Sequence, residues 1–178
     1  MHTDILTFWF QETSPKQWWA VDPAFDALIA QRFGERLQQA ARCELHTWRE
    51  TPQGRLAEVI VLDQFSRNVH RGTPLAFAQD PLALALAQEA VRHNAHLALN
   101  PTECSFLLLP FMHSESAAIH TEAERLYRAF APANNLDFEL RHKAIVDRFG
   151  RYPHRNAILG RASTDEGLAF LQTPGSSF

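Results

Sequence analysis

The segment 51–71, TPQGRLAEVIVLDQFSRNVHR, decides the fold class. It opens on Thr51-Pro52, an N-capping side chain followed by the one residue whose missing N–H costs nothing at the first helical position. It ends at Arg71-Gly72-Thr73-Pro74, a turn that stops a helix. Between these marks the spacing predicts a helix over 53–70. Val59, Ile60, Val61 and Leu62 are apolar on every side, so this helix is expected in the middle of the domain. Asp63 and Arg67, four apart, continue the Leu56 and Ile60 stripe, while Phe65 with Val61 and Val69 covers the opposite side. Gln64 and Asn68 form a second polar pair at the same spacing. Charges on a core-facing stripe are costly unless paired and hydrogen-bonded, so Asp63 and Arg67 mark either a site or a salt bridge that fixes register.

The same punctuation recurs outward. Asp22-Pro23, Asp80-Pro81 and Asn100-Pro101 each read as a cap followed by proline. Asn100 with Glu103, and Ser163 with Glu166, stand at capping-box spacing. Helices are predicted over 3–11, 15–20, 23–42, 53–70, 81–95, 101–113, 115–130, 135–149 and 164–172, with no stretch alternating as a strand would. The fold class is all-α: a single domain over 1–178, an antiparallel array of about eight or nine helices. Starts at 23, 52 and 81 are evenly spaced, but no residue signature repeats between the units. No linker or charge block divides the chain.

Composition narrows the function classes. With 178 residues, 46% hydrophobic and 21% charged, the chain has the make-up of a folded globular protein. A net charge of −3 and a pI near 6.3 argue against a dedicated nucleic-acid binder. The N-terminus lacks the pattern of a signal peptide, and the longest internal apolar run, 106–112, is far short of a bilayer span. A cytoplasmic protein that engages neither membrane nor nucleic acid is expected. Cys43 and Cys104 have no C-x-x-C neighbour, so reduced, buried thiols are expected. The aromatic residues Phe8, Trp9, Phe10, Trp18, Trp19, Phe25 and Phe33 are expected to pin the N-terminal segment into the core.

Chemistry concentrates near the end, in RFGRYPHRNAILGR over 148–161, which holds Arg148, Arg151, His154, Arg155, Asn156 and Arg161 with no acidic residue. Guanidinium forks suit bidentate contact with carboxylate or phosphate. Glycine is too sparse there for a phosphate-cradling loop, and no nucleophile elbow occurs, so no cofactor is expected. A second cluster follows Pro110, which should kink or break the helix of 101–113: His113, Ser114 and Glu115. They offer acid–base chemistry, but no H-E-x-x-H spacing is present and no metal is expected. His142, on a face with Ile145, Val146 and Phe149, reads as a satisfied core histidine. Arginine outnumbers lysine 15 to 2, a bias that codon preference alone can produce.

The motifs Asp63-Gln64-Phe65-x-Arg67-Asn68, Arg71-Gly72-Thr73, Leu109-Pro110-x-x-His113-Ser114-Glu115 and Arg148-Phe149-Gly150-Arg151-x-Pro153-His154-Arg155-Asn156 closely resemble those of the bacterial "domain of unknown function 924" family. The resemblance runs in order over nearly the whole chain, with Ser66 where the family commonly has proline. It implies an all-α fold like that of tetratricopeptide-repeat proteins, and no established activity.

The resulting expectation is a pocket between helices in which Asp63, Arg67, Asn68, Arg148, Arg151, His154, Arg155, Asn156 and Arg161 hold a small anionic molecule or a carboxylate-bearing peptide, the guanidinium groups outnumbering the carboxylates. Two other roles are open: a metal-independent hydrolase or transferase using His113 or His154 with Glu115 or Asp63, and an interaction scaffold whose polar cluster is purely structural. Oligomeric state is not encoded in any motif.

Overall fold

The computed structural model describes residues 1–177. Among them every regular element is helical. Helix α1 (His2–Thr7) runs into a π-helical turn (Phe8–Glu12), and a 3-10 turn (Gln17–Trp19) leads to α2 (Pro23–Ala41). Helix α3 (Pro52–Ile60) passes through a second π-helical turn (Val61–Phe65) into α4 (Ser66–Val69), making one rod. Then come α5 (Asp80–Arg92), α6 (Pro101–Met112), α7 (Ala117–Phe130), α8 (Ala133–Phe149) and the short α9 (Asp165–Phe170).

The α3–α4 rod is the centre of the packing, as its all-round apolarity predicts: α1, α2, α5 and α6 all lie against it. Leu56, Val59, Ile60, Val61, Leu62 and Phe65 are fully buried. Three helices, α6 to α8, then pack in sequence order, since connections of a few residues leave the chain no option but to turn back. Gly54 is needed where it stands. A Cβ there would fall 1.9 Å from the Trp48 carbonyl oxygen, so the rod begins where only glycine fits. Phe8 and Trp9 are core, as expected, buried against Phe25, Phe33, Phe65 and Phe106, and Phe10 and Trp18 pack partly buried against them. Trp19, expected there too, is 60% exposed. Among the described residues no helix is long and apolar enough to cross a membrane.

Local signals were followed where nothing competed. Asp22 accepts from the N–H groups of Ala24 and Phe25, Thr51 from Gly54, and Asn100 forms its capping box with Glu103. Gly150 closes α8 in the left-handed conformation, φ 66°. Several expectations are corrected. Asp80 does not cap: Gln79 occupies that position, and the Asp80 carboxylate turns to two arginines instead. Thr164, not Ser163, caps α9. Pro110 does not break α6, which continues to Met112; burial of every residue from Cys104 to Met112 holds the last turn despite the missing N–H. Gln64 and Asn68 do not pair, because Gln64 donates to Asp63 and Asn68 to Asp26. Cys104 is buried but Cys43 is exposed, since α2 ends before it.

Candidate functional site

Asp63 sits in the π-helical turn of the rod, 1% exposed. Wide turns of this kind re-aim side chains and are frequent at functional sites. Its Oδ1 lies 2.8 Å from Nδ1 of His113, which caps the end of α6, and Gln64 donates to Oδ2 at 2.6 Å. Arg67, one turn on, approaches Oδ1 at 3.1 Å and donates to the Asp63 carbonyl at 2.9 Å. The same guanidinium makes a bidentate pair with Asp80 at the start of α5, 2.8 and 3.0 Å. Arg155, from the 3-10 turn Pro153–Arg155, donates to Asp80 Oδ2 at 3.2 Å.

Electrostatics fix the protonation of this group. Burial opposes ionisation of Asp63, but Arg67 and His113 outweigh it and hold its carboxyl well below the usual range. Burial, reinforced by the Arg67 charge, pushes His113 down, with Asp63 opposing in part. At neutral pH the pair is therefore a carboxylate and a neutral imidazole. An ionised carboxylate only accepts, so Nδ1–H of His113 donates to Asp63 and Nε2 carries the lone pair. Nε2 has no protein partner among the described residues, and His113 lines an open cleft of about 360 Å³.

Asp80, Ser114, Glu115 and Arg155 line that cleft with His113, and Phe77, Pro81, Leu84, Pro110 and Leu159 form its apolar side. Arg155 is 6% exposed, its guanidinium lying over Tyr152 at 4.5 Å and Phe77 at 4.7 Å from the ring centroids. Contact with two aromatic rings favours the cation electrostatically but supplies no hydrogen-bond acceptor. The 3.2 Å bond to Asp80 is its one hydrogen bond among the described residues, and buried Nε has no acceptor. Burial, then repulsion from Arg67, lowers its hold on the proton. Glu115 is better served: Arg161 grips both its oxygens at 2.6 and 2.9 Å, and the N–H of Tyr152 donates to it at 2.7 Å.

The predicted residues thus separate. Asp63, Arg67, His113, Glu115 and Arg155 come together. Asn156 and Arg161 back Glu115, Asn156 accepting from Arg161 Nε at 3.1 Å. His154 packs beside the Tyr152 ring, does not line the cleft, and is pushed down to about 4 by burial and then by Arg155. Arg148 pairs with Glu166 on the surface, Arg151 is exposed, and Asn68 joins Arg71 on Asp26. Arg67, Arg155 and Arg161 face Asp63, Asp80 and Glu115, so cations do not outnumber carboxylates. Among the described residues no group of three or more His, Cys, Asp or Glu is placed to hold a metal.

Sequence reasoning missed Asp80, hidden as an apparent cap, and a dry network behind the cleft. There, fully buried His120 and Glu139 meet at 2.7 Å. His120 Nε2 lies 2.8 Å from the Ser114 carbonyl and 3.1 Å from the Tyr152 hydroxyl. No spacing signal joins these residues, which come from α7, α8, the connector before α7 and the segment after α8.

Fold and site together define an all-α protein in which a buried carboxylate on the central helix pairs with an imidazole at the end of α6, at the wall of a cleft. The chain belongs to the family described as bacterial protein of unknown function (DUF924), whose model matches residues 5–175. It is similar to the solved structure of a protein of unknown function, ATU0120 from Agrobacterium tumefaciens, at 39% identity over 96% of each chain with a TM-score of 0.92. No curated protein matches the chain.

Proposed function

We propose that this is a soluble cytoplasmic protein that binds a small molecule through one anionic group in the cleft between α5, the end of α6 and the segment after α8. The observation that carries this is Arg155: a guanidinium lying against two rings on the cleft wall, with one hydrogen bond at 3.2 Å and an Nε without an acceptor. A buried cation so sparsely paired is stabilised by any acceptor that reaches its edge. Calorimetry with acetate and inorganic phosphate tests it. Binding to wild type that is lost in Arg155→Gln supports the role; no heat from either anion rejects it.

The Asp63–His113 pair favours a second role, a metal-independent hydrolase or transferase. In it His113 Nε2 takes a proton from water or a substrate hydroxyl, Asp63 keeps the ring oriented and stabilises the imidazolium, and Arg155 faces the developing oxyanion. His154, away from the cleft, has no part in it. A screen of ester, amide and phosphoester substrates decides: turnover that survives His113→Gln leaves the pair without a catalytic role.

A further inference from the structure

The anion-binding role leaves the rest of the ligand undefined, and the walls of the cleft supply it. Formal charge around the site sums to zero, because Arg67, Arg155 and Arg161 are met by Asp63, Asp80 and Glu115 while His113 is neutral. A second or third anionic group would have no cation left to meet and would face the Asp80 and Glu115 carboxylates. Polyphosphates and polycarboxylates are thereby disfavoured. The hydrogen-bond capacity of those carboxylates is also largely used, Asp80 by Arg67 and Arg155 and Glu115 by Arg161 and the Tyr152 N–H. An ammonium group gains little from them.

Phe77, Pro81, Leu84, Pro110 and Leu159 line the cleft together with these groups. An apolar wall stabilises hydrocarbon and gives a hydrated inorganic ion nothing. The volume, about 360 Å³, lies at the small end for ligand sites, which limits the occupant to a short chain or a single ring.

We infer that the cleft takes a small monocarboxylate with an apolar body, its carboxylate on the Arg155 edge and its hydrocarbon against Phe77, Leu84 and Leu159. This rests on the anion-binding role and adds the chemical class of the occupant. Carboxylate is planar and matches the guanidinium fork, which itself lies against the Tyr152 and Phe77 rings.

Titration calorimetry of the full chain with hexanoate, acetate, hexanol and inorganic phosphate tests the inference. Hexanoate is expected to bind at least about tenfold tighter than acetate, from burial of its extra methylenes, and at least about tenfold tighter than hexanol or phosphate. Leu159→Ser, on a half-buried turn outside the main core, is expected to weaken hexanoate several-fold and to weaken it more than acetate. Hexanoate no tighter than acetate, or phosphate tighter than hexanoate, overturns the inference and leaves anion binding in place. Hexanol equal to hexanoate overturns the carboxylate head. No binding by acetate, hexanoate or phosphate removes the anion-binding role itself.

Discussion

Two buried carboxyls in this protein touch histidine Nδ1 at almost the same distance, Asp63 with His113 at 2.8 Å and Glu139 with His120 at 2.7 Å. Both are out of water. They differ in what else reaches them. Asp63 also has Arg67 and Gln64, and stays ionised far below the usual range. Glu139 has no guanidinium, its Oε2 has no partner, and burial pushes its carboxyl up. Burial alone therefore does not set protonation: the additional neighbours do. The consequences diverge as well. His113 leaves Nε2 on the cleft, whereas His120 commits Nε2 to the Ser114 carbonyl, three residues before α7 in the connector that also carries His113 and Glu115. One pair opens on the cleft; the other anchors the backbone that carries His113.

Removing the ionised carboxylate tests this contrast most severely. Asp63→Ala strands Arg67 and His113 around a buried void, and urea unfolding is expected to show a loss of about 3–5 kcal/mol at pH 7. A loss below about 1 kcal/mol would place Asp63 on the same footing as Glu139. The pH dependence carries opposite signs. A folded pKa held below the ordinary value makes the Asp63 contribution present above about 3.9 and lost as pH falls through the folded value, so the Asp63→Ala penalty shrinks in acid. A raised pKa makes the Glu139 contribution present below about 4.3 and lost as pH rises through the folded value. Unfolding midpoints of Asp63→Ala and Glu139→Gln relative to wild type, followed from pH 3 to 8, should therefore move in opposite directions.

How much of this was legible in the sequence depends on the range of the interaction. Asp22, Thr51 and Asn100 cap helices two or three residues away, so short-range rules found them. Asp80 looked identical and was misread because Arg67 and Arg155, 13 and 75 residues away, outcompeted the local N–H groups. The π-helical turn at 61–65 was not read from the sequence, where Leu56, Ile60, Asp63 and Arg67 fit an ordinary helical stripe. The motif matches put Asp63, His113, Glu115 and Arg155 in one family pattern, which spacing alone could not do. Arg148 and Arg151 shared the arginine density of the C-terminal segment but neither reaches the cleft, so density in sequence was a poor guide to convergence in space.

Smaller changes probe the dry side. Tyr152→Phe removes the hydroxyl that donates to the Met112 carbonyl and meets His120 Nε2, leaving the ring over which Arg155 lies. A cost of about 1–2 kcal/mol in urea unfolding is expected, the usual range for a buried acceptor losing its donor.

Glu139→Gln should change least. A Glu139 that keeps its proton donates it to His120 Nδ1, and His120 then donates Nε2–H to Ser114. Glutamine has nearly the same shape, brings an N–H donor of its own to Nδ1, and removes the possibility of a buried charge. The change at pH 7 is therefore expected to stay within about 1 kcal/mol by urea unfolding, and to favour the variant as pH rises. A loss of about 3 kcal/mol would mean instead that Glu139 is ionised and His120 protonated, a buried ion pair like the one a missing partner breaks at Asp63. The two carboxyls would then be alike, and the cation beside Asp63 would no longer explain why only one of the two histidines faces the cleft as a neutral base.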